Sequence, residues 1–351
     1  MNMSKKIRIN ISNHLLINKV LLNKKRSIII IFFLLLQLTM IISRKRYTAI
    51  NYYYSYITIK INEAGNYINV FSDYSDGKGG LSGSHDFAKP NEIHINGINQ
   101  SLVKSRYNLN ETKNGIKLIW NKSFLSIAYL FRDCKKISEI DLSNFDLRTV
   151  IYMEAMFFGC ISLTSINFTN FDTSRMKLMS SLFYNCISLK ELDLSNFATN
   201  NVESMYNMFG NCISLTSLNL SNFNTSQVSM VDYMFQNCSS LKKLEISNLQ
   251  VPKLNNTMFM FRYCPLLTSL DLSNFKLERR WSIVADNMFS NCSSLKYIDL
   301  AFFGFSSESS SNILSGSSKI RAINLYGVYF PTSTSSSSST TDKKKIMTKI
   351  F

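Results

Sequence analysis

All seven cysteines of this 351-residue chain fall on one ruler: Cys134, Cys160, Cys186, Cys212, Cys238, Cys264 and Cys292, spaced by 26 residues five times and then by 28. Thiols at fixed spacing offer three chemistries. Zinc needs about four ligands converging on a point, whereas one thiol per 26 residues makes a line, and the three histidines, His14, His85 and His94, lie outside it. Disulfides fit the distances, since stacked strands lie about 4.8 Å apart and bridged Cα atoms about 4.4–6.8 Å. Seven is odd, however, and equivalent side chains on stacked strands point in parallel. The favoured reading is a buried column of free thiols acting as small apolar side chains, with no metal.

A second column carries charge. The middle position of an L-x-L pattern reads Asp141, Asn167, Asp193, Asn219, Glu245, Asp271, Asp299 and Asn324, and two positions before it stand Glu139, Ser165, Glu191, Ser217, Lys243, Ser269 and Tyr297. On a repeat protein such outward columns form the partner-binding face; the plainer alternative is a solvated sheet in which amides space the acids to limit repulsion. Adjacent acids could bridge a divalent cation, but no D-x-D-x-D-G loop supports that. The chain also lacks G-x-S-x-G, H-E-x-x-H and a Gly-rich phosphate loop, so the expectation is a protein that is not an enzyme and holds no cofactor.

The elements that place these columns follow from the period. A unit such as residues 212–237 reads C-x-x-L-x-x-L-x-L-S-N-F, then T-S-x-V-x-x-M-x-x-M-F. A fixed 26-residue repeat is the mark of a solenoid, whose units bury their apolar faces only by stacking. The first half alternates and predicts a strand, with Leu215, Leu218 and Leu220 inward. Asn144, Asn170, Asn196, Asn222, Asn248 and Asn274 then recur as an expected buried ladder bonding the neighbouring turn's backbone, followed by Phe145, Phe171, Phe197, Phe223, Leu249 and Phe275. The second half spaces apolar residues by three, as in Val202, Met205 and Met208, which predicts short α or 3₁₀ segments on the convex side. A Phe closes each unit (Phe131, Phe157, Phe183, Phe209, Phe235, Phe261, Phe289). The expected fold is an α/β leucine-rich-repeat solenoid over residues 116–330, with a concave parallel sheet and short convex helices. Alternating stretches within 47–115, namely 54–61, 67–71 and 92–95, predict a small β-rich cap covering the first repeat's edge.

The net charge of +16 does not belong to that body. Residues 1–46 carry ten Lys or Arg and no acid, whereas 134–330 carry sixteen against fifteen. This leaves no basic groove, and nucleic acid is not an expected partner. The N-terminal charge brackets the uncharged run Ser27–Ser43, with Lys24-Lys25-Arg26 before it and Arg44-Lys45-Arg46 after it. At about 1.5 Å per residue, 17 positions reach roughly 25 Å, and flanking Lys and Arg stems extend that span. Residues 27–43 therefore read as an uncleaved transmembrane signal anchor behind a basic segment, 1–26, with the body placed outside the cell. Residues 331–351 read as a Ser/Thr-rich, disordered basic tail. Of the nine N-x-S/T sequons after residue 46, Asn99, Asn110 and Asn121 lie before the cysteine-spaced repeats and are the more credible acceptors if the body is extracellular.

The wording of the repeat, with Leu142-Ser143-Asn144-Phe145-Asp146 and Phe171-Asp172-Thr173-Ser174 as examples, resembles that of the BspA-like leucine-rich repeat surface proteins, which share their repeat with Mycoplasma lipoproteins of unknown function. The resemblance covers residues 116–330 and implies a surface-exposed or secreted protein, with adhesion or host and matrix binding in some members and no enzymatic activity. This chain lacks the bacterial lipobox cysteine and wall-sorting tail, so anchoring would fall to residues 27–43. The functional expectation is a single-pass membrane protein whose concave sheet binds a protein or glycan. The alternative is an intracellular membrane-tethered scaffold.

Overall fold

The computed structural model describes residues 55–72, 88–246, 248–275, 283–301, 312–324 and 326. The expected basic segment, membrane anchor and C-terminal tail lie outside these residues. Among the described residues no helix is long and apolar enough to cross a membrane.

The described residues form thirteen strands in chain order: β1 (Ser55–Ile61), β2 (Gly65–Asn69), β3 (Glu92–Ile95), β4 (Ile98–Asn99), β5 (Arg106–Leu109), β6 (Asn114–Trp120), β7 (Ile137–Asp141), β8 (Ser165–Asn167), β9 (Ser217–Asn219), β10 (Lys243–Glu245), β11 (Ser269–Asp271), β12 (Tyr297–Asp299) and β13 (Ala322–Asn324). From β7 onward each is the L-x-L stretch of one coil, and neighbours pair in parallel, as in Ile140↔Ile166 and Leu218↔Leu244. The N-terminal strands do more than lie against this array. β1 pairs antiparallel with both β6 and β7, giving the sheet order β4-β3-β6-β1-β7-β8. The cap is therefore hydrogen-bonded into the concave sheet, satisfying the edge that the first coil would otherwise expose.

The expected inward set is buried: Leu215, Leu218 and Leu220 are at most 3% exposed, and all seven cysteines are free and buried. The closing phenylalanines stack face to face at the coil repeat, with ring centroids 5.4–5.7 Å apart from Phe157 to Phe289 and planes within 8°. The thiols are more than small apolar fillers. Each Sγ from Cys160 to Cys264 donates to the carbonyl of the closing Phe one coil back, at 3.1–3.2 Å. Cys292 does the same to Phe261 at 3.0 Å, and Ser317, standing in the next cysteine slot, keeps the bond to Phe289 at 2.6 Å. Burial pushes these thiols up, Cys212 to about 12, which keeps them protonated and able to donate.

Two sequence expectations are corrected. The convex side contains no helix among the described residues, so the observed fold there is a β-solenoid and not the expected α/β arrangement. Alternate N–H groups leave the coil: Ser181, Phe183 and Asn185 donate to Tyr206, Met208 and Gly210 of the next coil at 2.7–2.9 Å. Those between them close single turns, Leu182 to Met179 and Tyr184 to Ser181. A helix would need all of these donors for itself. Two residues per coil also adopt positive φ, Ser181 and Asn185 in this coil, Asn207 and Asn211 in the next, which ends any right-handed run. The apolar spacing by three thus reflects repeated turns. Second, the asparagines of the L-S-N-F motif are not buried. Asn144, Asn170, Asn196, Asn222 and Asn248 are exposed and Asn274 is half-buried. Asn222 still donates to Leu194, Ser195 and Phe197 of the preceding coil at 3.0–3.2 Å, and Asn248 to Ser221 at 3.4 Å. The buried inter-coil donors are instead Thr173, Thr199 and Thr225, whose hydroxyls reach Ala198, Asn224 and Gln250 at 2.6–3.0 Å. A hydroxyl fits the narrow interior where a carboxamide with four bonding sites would leave some unmet.

Among the described residues two acids are buried, Glu154 and Asp232, each 4% exposed. Asp232 Oδ1 has no hydrogen-bond partner. Desolvation pushes its carboxyl up to about 6, partly countered by its own backbone N–H. Because the folded value lies above the ordinary value of 3.8, the folded state holds the extra proton between those two values. Stability therefore falls as pH rises through that window and stays lowered above about 6. Three outcomes are expected in thermal melts. Phe209→Ala should cost about 3–5 kcal/mol by opening the ring stack on both sides. Cys212→Ala should cost about 1–2 kcal/mol and Cys212→Ser markedly less, since serine retains the donor as it does at Ser317; equal losses would remove the role given to the S–H bond. Asp232→Asn should raise Tm at pH 7.5 by far more than at pH 4, and the same gain at both values would contradict the buried-carboxylate account.

Candidate functional site

The alternation of each strand sends one set of side chains into the core and the other onto the concave face. The outward set comprises the two sequence-predicted columns. Register places Asp141 beside Asn167, Asn219 beside Glu245, and Asp271 beside Asp299, which in turn neighbours Asn324. The face continues into the cap, where Thr58 stands opposite Asp141 and Lys60 opposite Glu139, with Lys60 Nζ ion-paired to Glu139 at 2.6 Å.

The middle column has a structural task that its composition does not announce. Oδ1 of Asp141, Asn167, Asp193, Asn219, Asp271, Asp299 and Asn324 accepts the backbone N–H two residues on, at 2.9–3.0 Å. This is an Asx-turn closing each strand, which either Asp or Asn can make. The Ser195 N–H holds the Asp193 carboxyl below its ordinary value. Burial pushes Asp299 up, but the Ala301 N–H, the Asn324 amide and the Tyr297 hydroxyl together outweigh it and leave its carboxyl lowered. Asp193 and Asp299 are thus stabilised as carboxylates. The second oxygen or the amide nitrogen remains turned outward, and Asn167 and Asn324 use theirs to donate to Asp141 and Asp299 at 3.0 Å.

The face is not uniform. Residues 191–193 align with the strand positions of the other coils but form no strand, and β8 and β9 on either side are not paired through them. Over this lapse lies a groove of about 450 Å³ lined by Glu191, Leu192, Asp193, Ser217, Leu218, Asn219, Lys243 and Glu245. Three of the sequence-predicted partner residues, Asp193, Asn219 and Glu245, meet there; Asp141 and Asn167 lie toward the cap, and Asp271 and Asp299 toward the C-terminal coils. Leu192 is not among the residues that the sequence singles out. It is half-buried, as are Ile166 and Leu244 in the equivalent slot, whereas Leu218 and Leu270 are buried.

No group of three or more His, Cys, Asp or Glu is placed to hold a metal ion among the described residues. The thiol column lies under the sheet, and its raised values make the cysteines poor nucleophiles.

No curated protein matches the chain. Among solved structures, an internalin from Listeria monocytogenes aligns with 13% identity over 54% of this chain and 71% of the internalin, at a TM-score of 0.16. At that score the two bodies do not superpose, and the likeness carries no weight. A protein-family model described as "Mycoplasma protein of unknown function, DUF285" matches twice, over residues 125–219 and 188–301. Together the matches run over the coils that carry the thiol ladder, the groove and half of the whole chain, and the chain belongs to this family.

Proposed function

We propose that the chain is a binding module that engages a protein or glycan partner through its concave sheet, held at a cell surface by a membrane anchor at residues 27–43. The observation that carries the reading is the concave face itself. It runs unbroken in hydrogen bonding from β4 through β8 and presents a polar column along the solenoid, and no element of the described chain covers the groove above residues 191–193. Solenoids present such faces because each coil contributes a short row of side chains to one extended surface. Kinship with the BspA-like surface proteins, drawn from the L-S-N-F-D wording, belongs to the same proposal, as do adhesion and a binding rather than catalytic role.

Two measurements on intact cells expressing the full chain test it. Binding to an array of matrix proteins and glycans is expected to show at least one saturable ligand and to fall at least tenfold for Ser217→Tyr. That change fills the groove with a side chain the same column already carries at Tyr297. An array without a ligand, or a ligand indifferent to Ser217→Tyr, would remove the concave face from the account. A tag placed after Phe351 should be digested by external protease; full protection would instead favour the membrane-tethered intracellular scaffold.

A further inference from the structure

The groove narrows the choice of partner, provided that the concave face is the binding surface proposed above. We infer that it seats lysine or arginine side chains from an extended segment of a protein partner. Charge complementarity is the first argument. From β7 to β12 the outward positions of the sheet carry the carboxylates Glu139, Asp141, Glu191, Asp193, Glu245, Asp271 and Asp299 against the single ammonium of Lys243. Asp141, Glu191, Asp193, Asp271 and Asp299 have no cationic partner among the described residues, whereas Glu139 is taken by Lys60. A surface of this sign attracts basic segments and repels phosphate-bearing or acidic ones.

The shape of the groove is the second argument. Half-buried Leu192 lies in its lining, with Glu191, Asp193, Lys243 and Glu245 around it, while Leu218 is turned into the core. A small apolar patch beside carboxylates matches a side chain built as an apolar stem with a charged head, which describes lysine and arginine. A neutral sugar would leave the carboxylates without a charged counterpart. Spacing sets the number. Paired strands lie about 4.7–4.9 Å apart, so the groove over residues 191–193, β9 and β10 spans about 10 Å, room for two alternate side chains of an extended segment, which recur about every 6.6–6.8 Å.

The test is fluorescence anisotropy of the full chain with a labelled dodecapeptide alternating Lys and Ser, set against its Glu–Ser counterpart at 150 mM salt. Saturable binding is expected for the lysine peptide alone. The pair Glu191→Gln and Asp193→Asn should weaken it at least tenfold. Asparagine at 193 keeps the oxygen that caps Ser195, as Asn167 and Asn219 do in their own coils, and an unchanged Tm verifies the fold. A pair with the same loss of charge away from the face, Asp172→Asn and Glu203→Gln, should change binding less than twofold. Absence of saturable binding, or equal loss from both pairs, would overturn the inference. A neutral or acidic ligand that is blocked by Ser217→Tyr would also overturn it, while leaving the concave face as the binding surface.

Discussion

Coil-to-coil registration is the constraint on which the rest of the molecule depends. The convex turns and the thiol column run from coil to coil, the concave ladder joins coils where it forms, and all must be met at the same axial step. The phenylalanine stack fixes that step because rings packed face to face tolerate little slippage. Registration explains why the cysteine slot accepts cysteine or serine: either supplies a donor to the preceding closing carbonyl. It also shows where the repeat can be lengthened. The 28-residue coil between Cys264 and Cys292 restores the ring stack, Phe261 on Phe289 at 5.5 Å, and the thiol bond at 3.0 Å, so its extra residues leave both columns in phase.

The convex turns show what such bonding permits. Tyr233 and Phe259 hold positive φ, a conformation that costs a non-glycine residue about 1–2 kcal/mol. Their N–H groups donate to Met258 and Asp286 of the following coil at 2.9 and 3.0 Å. The same strain in an isolated turn would have no such compensation. Gly210 marks a place where even an added methyl would collide, since a Cβ there would meet Asn207 Oδ1 and lie 3.1 Å from the Tyr184 ring. The coil thus accommodates its neighbours' side chains as well as their backbones.

Registration also decides what is legible in the sequence. Period, strand positions and the inward set can be read because burial acts on residue type directly, as at Leu215 and Phe209. The convex side is misread as helical because Val202, Met205 and Met208 fit a helix and a train of turns equally well. The discriminating signal is present but quieter: Gly159, Asn185, Asn211, Asn237 and Asn291 recur just before the cysteine, and all have positive φ. The asparagine ladder misleads for the opposite reason. Recurrence at Asn196 or Asn222 suggests burial, yet an exposed carboxamide can clamp the preceding coil from the rim, as Asn222 does. Thr173 and Thr199 are hidden within a motif that looks like a loop. The groove is beyond sequence reading, because its lining is assembled from three successive coils, a property of neighbouring coils and not of any one residue.

The acid column shows how one residue serves both fold and face without conflict. A carboxylate has two oxygens, and at Asp141, Asp193, Asp271 and Asp299 Oδ1 is committed to the turn N–H. The Asx-turn is indifferent to whether the other atom is an oxygen or an amide nitrogen, so the charge of each coil can vary while the turn stays intact. Asp271 and Asp299 sit side by side in register, an arrangement that like-charge repulsion disfavours. At Asp299, bonds from the Ala301 N–H, Asn324 and Tyr297 outweigh the effect of burial and hold the carboxyl ionised. The backbone can therefore maintain a row of carboxylates without counter-ions, and that persistent, unneutralised row is the property a cationic segment would recognise.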